Sequence, residues 1–97
     1  MNIDQVVVAI YDSAAGVYSN YMNKHNAAVA IREFEEGCQE PTSRLHVHAE
    51  HFSLRQVGTT NLETGQIEPM EPFVLMTAEQ AIQVSTSQAR HLEIADA

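Results

Sequence analysis

Histidines in the middle of the chain are the first residues whose spacing could support metal chemistry. His46 and His48 would share one face of a strand, and His51 follows three residues later. With Glu50 or Cys38 as a further ligand, such a group could hold zinc or nickel. Zinc sites usually add paired cysteines or a helical His-x-x-x-His, and the sequence has neither. A histidine-rich polar segment is therefore the favoured interpretation, and we predict no metal and no cofactor.

No pattern in the sequence indicates catalysis. Serines and threonines are scattered without a histidine partner at a recognisable spacing, and there is no glycine-rich phosphate loop. Cys38 falls on the apolar stripe of a predicted helix, where a buried thiol is unreactive. Glu35 and Glu36 fall on the solvated face of the same helix. We therefore expect a protein that is not an enzyme.

Aromatic and basic side chains offer a second kind of chemistry, because proteins bind single-stranded nucleic acid through base stacking and phosphate contacts. Tyr18 and Tyr21 lie among polar residues, which makes them the better stacking candidates. Tyr11 and Phe52 are more simply interpreted as core residues. The predicted DNA-binding residues are Tyr18, Tyr21, Lys24, Arg44 and Arg55.

The charge balance works against this interpretation. Five lysines and arginines stand against 13 acidic residues, giving a net charge of −8. Such a chain avoids casual contact with nucleic acid and with anionic membranes. Binding would need a local basic surface. The alternative is an acidic homo-oligomer that acts on other proteins without touching DNA.

Length and composition predict a single small domain. A chain of 97 residues has room for one core, which we place in residues 1–84, followed by a polar tail over residues 85–97. No apolar run approaches the roughly 18 residues of a membrane helix. The start of the chain lacks the basic region of a secretory signal, and a lone Cys38 fits a reducing compartment. We expect a cytoplasmic protein.

The first half of the chain predicts a strand and a helix. Val6 to Tyr11 is an apolar run that predicts a buried strand. Val17 to His25 has no clear period, so we expect a loop or an irregular helical approach there. Asn26 can cap a helix that Gly37 would end in the left-handed conformation. Its apolar stripe consists of Ala27, Ala30, Ile31, Phe34 and Cys38.

The second half predicts a hairpin and a short helix. The hairpin strands are expected over residues 52–57 and 66–70, with a bulge at Val57-Gly58. Pro69 and Pro72 make the returning strand short or place it on an edge. Thr77 to Gln80 has the form of a capping box. The prediction is an α+β fold with a small antiparallel sheet, a short C-terminal helix and a polar tail. It should form a homodimer or larger, with the Phe73–Met76 run covering apolar edges between subunits.

Several segments, in order, resemble one viral protein family. They are Ile10-Tyr11-Asp12-Ser13 with Ala15 and Tyr18; Asn26, Ala30-Ile31-Arg32 and Phe34 with Pro41; His48-Ala49-Glu50-His51-Phe52-Ser53-Leu54; and Val57-Gly58 with Thr64-Gly65-Gln66-Ile67. This arrangement resembles the small nonstructural DNA-binding proteins of gokushovirus-type microviruses, which are phages with single-stranded DNA genomes. Ala49 and His51 stand where the family has proline and aspartate, and the tail after Ile82 is longer than in short members.

The resemblance implies a function as well as a fold. It implies a nonstructural protein of the infected bacterium's cytoplasm, absent from the mature virion, that binds the single-stranded viral genome. Such a protein would assist genome replication or the switch to single-strand packaging. Under the alternative, the acidic oligomer would act on phage capsid, packaging or replication proteins. The basic packaging proteins among them would attract its negative charge.

Overall fold

A four-stranded antiparallel sheet forms the body of the protein in a computed structural model, which describes residues 4–83. Its strands are β1 (Asp4–Asp12), β2 (Val17–Lys24), β3 (Phe52–Asn61) and β4 (Ile67–Thr77). Their order across the sheet is β2-β1-β3-β4, so β2 and β4 are the edges. Helices pack beside this sheet, which confirms the predicted α+β class. The predicted polar tail over residues 85–97 lies outside the described residues.

Strand β2 corrects the prediction of a loop or irregular helix over Val17 to His25. It pairs with β1 along its whole length, with Tyr11 opposite Tyr18 and Val8 opposite Met22. Most of its side chains are exposed, and Met22 packs against the core. A bulge near Asn20, whose φ of 53° is left-handed, interrupts the alternation. An exposed, bulged edge strand therefore lacks the period by which strands are recognised.

Helix α1 runs over Ala27–Gln39 and confirms the predicted cap and apolar stripe. The Asn26 side chain accepts a hydrogen bond from the Val29 amide at 2.9 Å. Gly37, however, does not end the helix, which continues to Gln39. A Cβ at Gly37 would lie 3.5 Å from Leu45 Cδ1, so this glycine sits where α1 passes the next helix closely.

Strands β3 and β4 form a longer hairpin than the sequence predicts. The Asn61 side chain accepts hydrogen bonds from the Glu63 and Thr64 amides at 2.9 and 3.1 Å, and Gly65 takes a φ of 77°. Register shifts on both sides of β3 confirm the bulge at Val57. The Phe73–Met76 run continues the returning strand, and β4 lies at the sheet edge as its prolines predict.

The remaining helical segments connect the sheet's ends. Helix α2 (Arg44–Val47) and a 3-10 turn (Ala49–His51) lead into β3. Helix α3 begins at residue 78 and is described to residue 83. Its capping box is confirmed, because the Gln80 amide donates to Thr77 Oγ1 at 3.1 Å and the Thr77 amide donates to Gln80 Oε1 at 2.9 Å.

The core lies between one face of the sheet and helices α1 and α3. Its buried members are Val8, Ile10, Ala30, Phe34, Cys38, Phe52, Leu54, Ala78 and Ala81. The two helices are also joined by a hydrogen bond from Gln39 Nε2 to the Ala81 carbonyl at 3.1 Å. None of the helices within residues 4–83 has the length and apolar content needed to cross a membrane.

Candidate nucleic-acid interface

The two faces of the sheet are covered differently. Val8, Ile10 and Leu54 belong to the core beneath the helices. Side chains alternate along a strand, so Tyr11 and Arg55, the neighbours of Ile10 and Leu54, lie on the other side. We call this side the open face, because the core beneath α1 and α3 lies on the opposite side.

Two tyrosines and one arginine meet on the open face. Tyr11 of β1 is the cross-strand partner of Tyr18 of β2, and their ring centroids are 4.7 Å apart with planes inclined at 50°. The Arg55 guanidinium carbon lies 4.2 Å from the Tyr11 ring centroid and 5.8 Å from that of Tyr18. We call these three residues the Tyr-Arg cluster. It presents π surfaces and a cation side by side.

Hydrogen bonds fix the guanidinium in this position. Arg55 Nη1 donates to the Tyr18 hydroxyl at 3.2 Å, and Nε donates to Ser53 Oγ at 3.1 Å. No carboxylate within residues 4–83 lies within ion-pair distance of Arg55. Its hydrogen-bond partners are neutral, and the two acidic residues that line the same depression, Glu50 and Glu79, lie beyond ion-pair distance. The three side chains of the cluster are half-buried, so they lose less conformational entropy when a nucleic-acid strand binds.

A row of polar groups continues the open face beyond the cluster. Asn23 of β2 hydrogen-bonds to Gln5 of β1 and accepts from Thr60 Oγ1 of β3 at 2.8 Å. Tyr21 is two residues before Asn23 on β2, so the alternation places it on the same side, and it is 63% exposed. The open face therefore combines a cationic aromatic end with an amide and hydroxyl end.

Two of the predicted binding residues lie away from the cluster. Lys24 points to the helix side, where it forms an ion pair with Glu33 of α1. It also lines a mainly apolar seam between α1 and the sheet. Arg44 begins α2 and its side chain is 80% exposed, 4.0 Å from the Asp12 carboxylate. The structure thus brings Tyr18 and Arg55 together, with Tyr21 on the same face, and leaves Lys24 and Arg44 outside.

Tyr11 is the site residue that the sequence interpretation missed. We expected it in the core, as we did Phe52, which is indeed buried. Tyr11 is instead half-exposed and lies on the open face. Its position one residue after Ile10 was the available signal, because one of two neighbours in a strand must face away from a single covering layer.

The histidines do not form the metal site that their spacing allowed. His46 lies in α2 and His48 ends it, so the assumption that both lie on a strand is wrong. His46 Nδ1 is 2.8 Å from the Cys38 carbonyl oxygen, and His51 Nε2 is 3.4 Å from Glu50 Oε1. Across residues 4–83, no group of three histidine, cysteine or acidic side chains is close enough to hold a metal ion.

Cys38 has the environment of a structural thiol. It is fully buried on the inner face of α1. Burial, with a smaller contribution from the negative charge of Glu35, raises the pKa of the Cys38 thiol to about 11. The thiol is therefore protonated at neutral pH, and a protonated thiol is neither a nucleophile nor a metal ligand.

Comparison with known proteins identifies a family. The family model described as Phage ORF5 protein matches residues 5–81, a range that extends from β1 into α3 and includes the whole open face. No curated protein matches the chain. No solved structure matches it either.

Proposed function

The chain belongs to the Phage ORF5 protein family, and from that premise we propose that this phage protein binds single-stranded DNA on the open face of its sheet. The resemblance to gokushovirus-type microvirus proteins supports the finer assignment. In that role it would be nonstructural and not an enzyme. It would act in the host bacterial cytoplasm, be absent from the mature virion, and assist genome replication or the switch to single-strand packaging.

The Tyr-Arg cluster is the observation that carries this proposal. An unstacked base can pack on the tyrosine rings, and the adjacent phosphate can reach the Arg55 guanidinium. Such contacts need splayed bases, so duplex DNA cannot make them in the same way. The polar row at Asn23 and Thr60 offers hydrogen bonds to sugars or base edges farther along the strand. The face therefore suits a single strand.

Part of the acidic charge lies away from this surface, while Glu50 and Glu79 line the same depression as Tyr11 and Arg55. Glu33, Glu35 and Glu36 lie on α1, on the far side of the sheet from Arg55. A local cation can attract phosphate within about one Debye length, roughly 8–10 Å at moderate salt. The net charge of −8 still opposes DNA at longer range, so stacking must supply most of the affinity.

Replacing Tyr18 with alanine should weaken single-strand binding by about 1–3 kcal/mol, the worth of one stacked base. The measurement is the fluorescence anisotropy of a labelled oligo(dT), titrated with the full chain at several salt concentrations. Arg55→Ala should also weaken binding and should flatten the salt dependence by about 0.7 in the log–log slope, the share of one phosphate. For the parent protein we expect a shallow slope of about −1 per subunit, because few cations are available.

Lys24→Ala is the matched control. It removes a cation from β2, the strand that carries Tyr18, but on the side that faces the helices. It should leave the affinity and the slope nearly unchanged. Melting curves establish that each variant is folded. The proposal fails if Tyr18→Ala and Arg55→Ala both bind as the parent does, or if the parent binds no single strand even at low salt.

We also propose self-association through strand β4. This edge strand exposes Ile67, Met70, Phe73 and Val74, at 69%, 39%, 44% and 47% respectively. Pro69 and Pro72 lack an amide hydrogen, so a second copy would pack on these side chains rather than extend the ladder along the whole edge. A small domain has little core, and burying the exposed side chains of this edge strand in a symmetric dimer would add to it.

Phe73→Glu should therefore shift the protein toward monomer in sedimentation velocity, because a buried unpaired carboxylate opposes association. Val17→Glu is the control, since Val17 is 53% exposed on the opposite edge, β2. It should leave the oligomeric state unchanged. A parent protein that sediments as a monomer at high micromolar concentration would contradict self-association.

The second candidate function is an acidic assembly protein without DNA contact. The charge of −8 and the exposed apolar side chains of β4 favour it, because together they suit a partner with a basic surface around an apolar patch. The partners would be phage capsid, packaging or replication proteins. Capture of the phage's basic packaging protein by a parent chain that binds no oligonucleotide would establish this alternative.

A further inference from the structure

A second depression adjoins the Tyr-Arg cluster at the end of the sheet. It encloses about 270 Å³ and is lined by Asp12, Ala14, Arg44, His48, His51 and Phe52. The neighbouring depression beside the cluster, of about 180 Å³, is lined in part by Tyr11 and Arg55. His51 and Phe52 line both. A path over the surface therefore leads from Arg55 to Arg44.

Basic side chains converge on this second depression from adjoining turns. Arg44 and His48 are four residues apart around α2, with the His48 amide bonded to the Arg44 carbonyl at 2.9 Å. His51 follows in the 3-10 turn, whose first hydrogen bond joins its amide to the His48 carbonyl at 3.0 Å. The Arg44 guanidinium carbon lies 5.7 Å from the Phe52 ring centroid. Short-range backbone bonds thus fix the backbone of all three residues around one opening.

Asp12, the acidic residue that lines the second depression, does not prevent an anion from binding there. Asp12 Oδ1 already accepts hydrogen bonds from the Ala14 and Ala15 amides, at 2.9 and 3.4 Å. Its other oxygen is 4.0 Å from Arg44, at the limit of an ion pair, and the Arg44 side chain is 80% exposed. A phosphate could therefore take the Arg44 charge without breaking a short ion pair. The volume is several times the roughly 30 Å³ that one water occupies in the liquid.

We propose that Arg44, His48 and His51 form a phosphate subsite that takes a further phosphodiester of the strand bound at Arg55, and that makes the binding pH-dependent. The inference rests on the proposed single-strand binding and extends its site. Imidazole gains a positive charge as pH falls from about 8 to 5. The subsite then carries one cation at the upper pH and up to three at the lower. Affinity rises as pH falls because protonated imidazole donates charge-assisted hydrogen bonds to phosphate.

Other charged and titratable groups near His48 and His51 also affect how the binding depends on pH. They are Asp12 on β1, Arg44 on α2, Glu50 in the 3-10 turn, Tyr11 and Arg55 beside the adjoining depression, and Glu79 on α3. Glu50 is the nearest to His51, at 3.4 Å.

The test compares the affinity of the full chain for a labelled oligo(dT) at about pH 8 and about pH 5.5, at constant salt. The parent should bind about tenfold more tightly at the lower pH, as two added cationic contacts to phosphate would give. The double variant His48→Gln/His51→Gln should match the parent at the upper pH and lose most of the increase. His25→Gln, in the exposed link between β2 and α1, should keep the full increase.

Arg44→Gln provides a second measurement that does not depend on the histidine variants. It should weaken binding at both pH values, by about threefold for the loss of one phosphate contact. If the oligonucleotide binds but the double variant keeps the pH response, or Arg44→Gln changes nothing, the subsite is overturned while single-strand binding stands. If the parent binds no oligonucleotide at either pH, the proposed function fails and the subsite fails with it.

Discussion

Replacing Phe34 with alanine should lower the free energy of unfolding by about 3–5 kcal/mol. Phe34 is 5% exposed on the inner face of α1, and it belongs to the buried cluster that also contains Ile10 and Leu54. An apolar seam of about 190 Å³ already runs beside it, lined in part by Met22 and Leu45. Removing the ring would enlarge that space, and strand and helix backbones cannot move enough to fill it.

Denaturant unfolding followed by circular dichroism measures this loss. Small domains have total stabilities of about 5–15 kcal/mol, so the variant should be only marginally folded at room temperature. Arg32→Ala is the control on the exposed side of the same helix, and its effect should stay within about 0.5 kcal/mol. Equal midpoints for Phe34→Ala and the parent would mean that α1 presents a different face to the sheet.

Gly58→Ala should destabilise the protein by about 2–3 kcal/mol, the upper part of the range for overpacking. A Cβ at Gly58 would lie 2.6 Å from the Glu68 carbonyl oxygen and 3.6 Å from Pro69 Cα. Both belong to the backbone of β4, so no side chain can rotate away to relieve the clash. The strands must separate at the bulge, which disturbs the pairing of Gly58 with Pro69 and with Val7.

Gly37→Ala supplies the opposite expectation for the same chemical change. Its Cβ would meet Leu45 Cδ1 at 3.5 Å, an ordinary contact, inside a helix where alanine is favoured over glycine by about 0.5–1 kcal/mol. Thermal melts should therefore move upward for Gly37→Ala and downward for Gly58→Ala. Equal shifts in the same direction would show that backbone entropy, rather than the approach of β3 to β4, decides both positions.

Local signals in the sequence determined the elements that contact the core and the turns that end them. Asn26 predicts the start of α1 because its side chain bonds within three residues, to the Val29 amide. Thr77 and Gln80 predict the start of α3 for the same reason. Pro69 and Pro72 predict an edge strand, since neither has a donor for a neighbouring strand. In each case the stabilising contact lies within a few residues, so the sequence pattern contains it.

Gly37 and the histidines show where local patterns point the wrong way. Glycine near the end of an apolar stripe predicts a helix stop, yet the helix continues through Gly37 to Gln39, and Leu45 of α2 lies beside this glycine. His46 and His48 match the spacing of a strand, yet they belong to α2 and its end. Both departures depend on how α1 meets α2, a packing contact that neither segment specifies alone.

The residues of the candidate site show the same difference between what the sequence determines and what the tertiary structure decides. Residue type alone was enough to select Tyr18, Tyr21 and Arg55, because stacking and phosphate contact need rings and cations. Their assembly was decided by the tertiary structure, through the pairing of β2 with β1 and of β1 with β3. That pairing adds Tyr11 to the cluster, and the ion pair with Glu33 places Lys24 on the helix side. The side of a sheet to which a residue belongs depends on strand register and on which face the helices cover, and both are contacts between segments far apart in the chain.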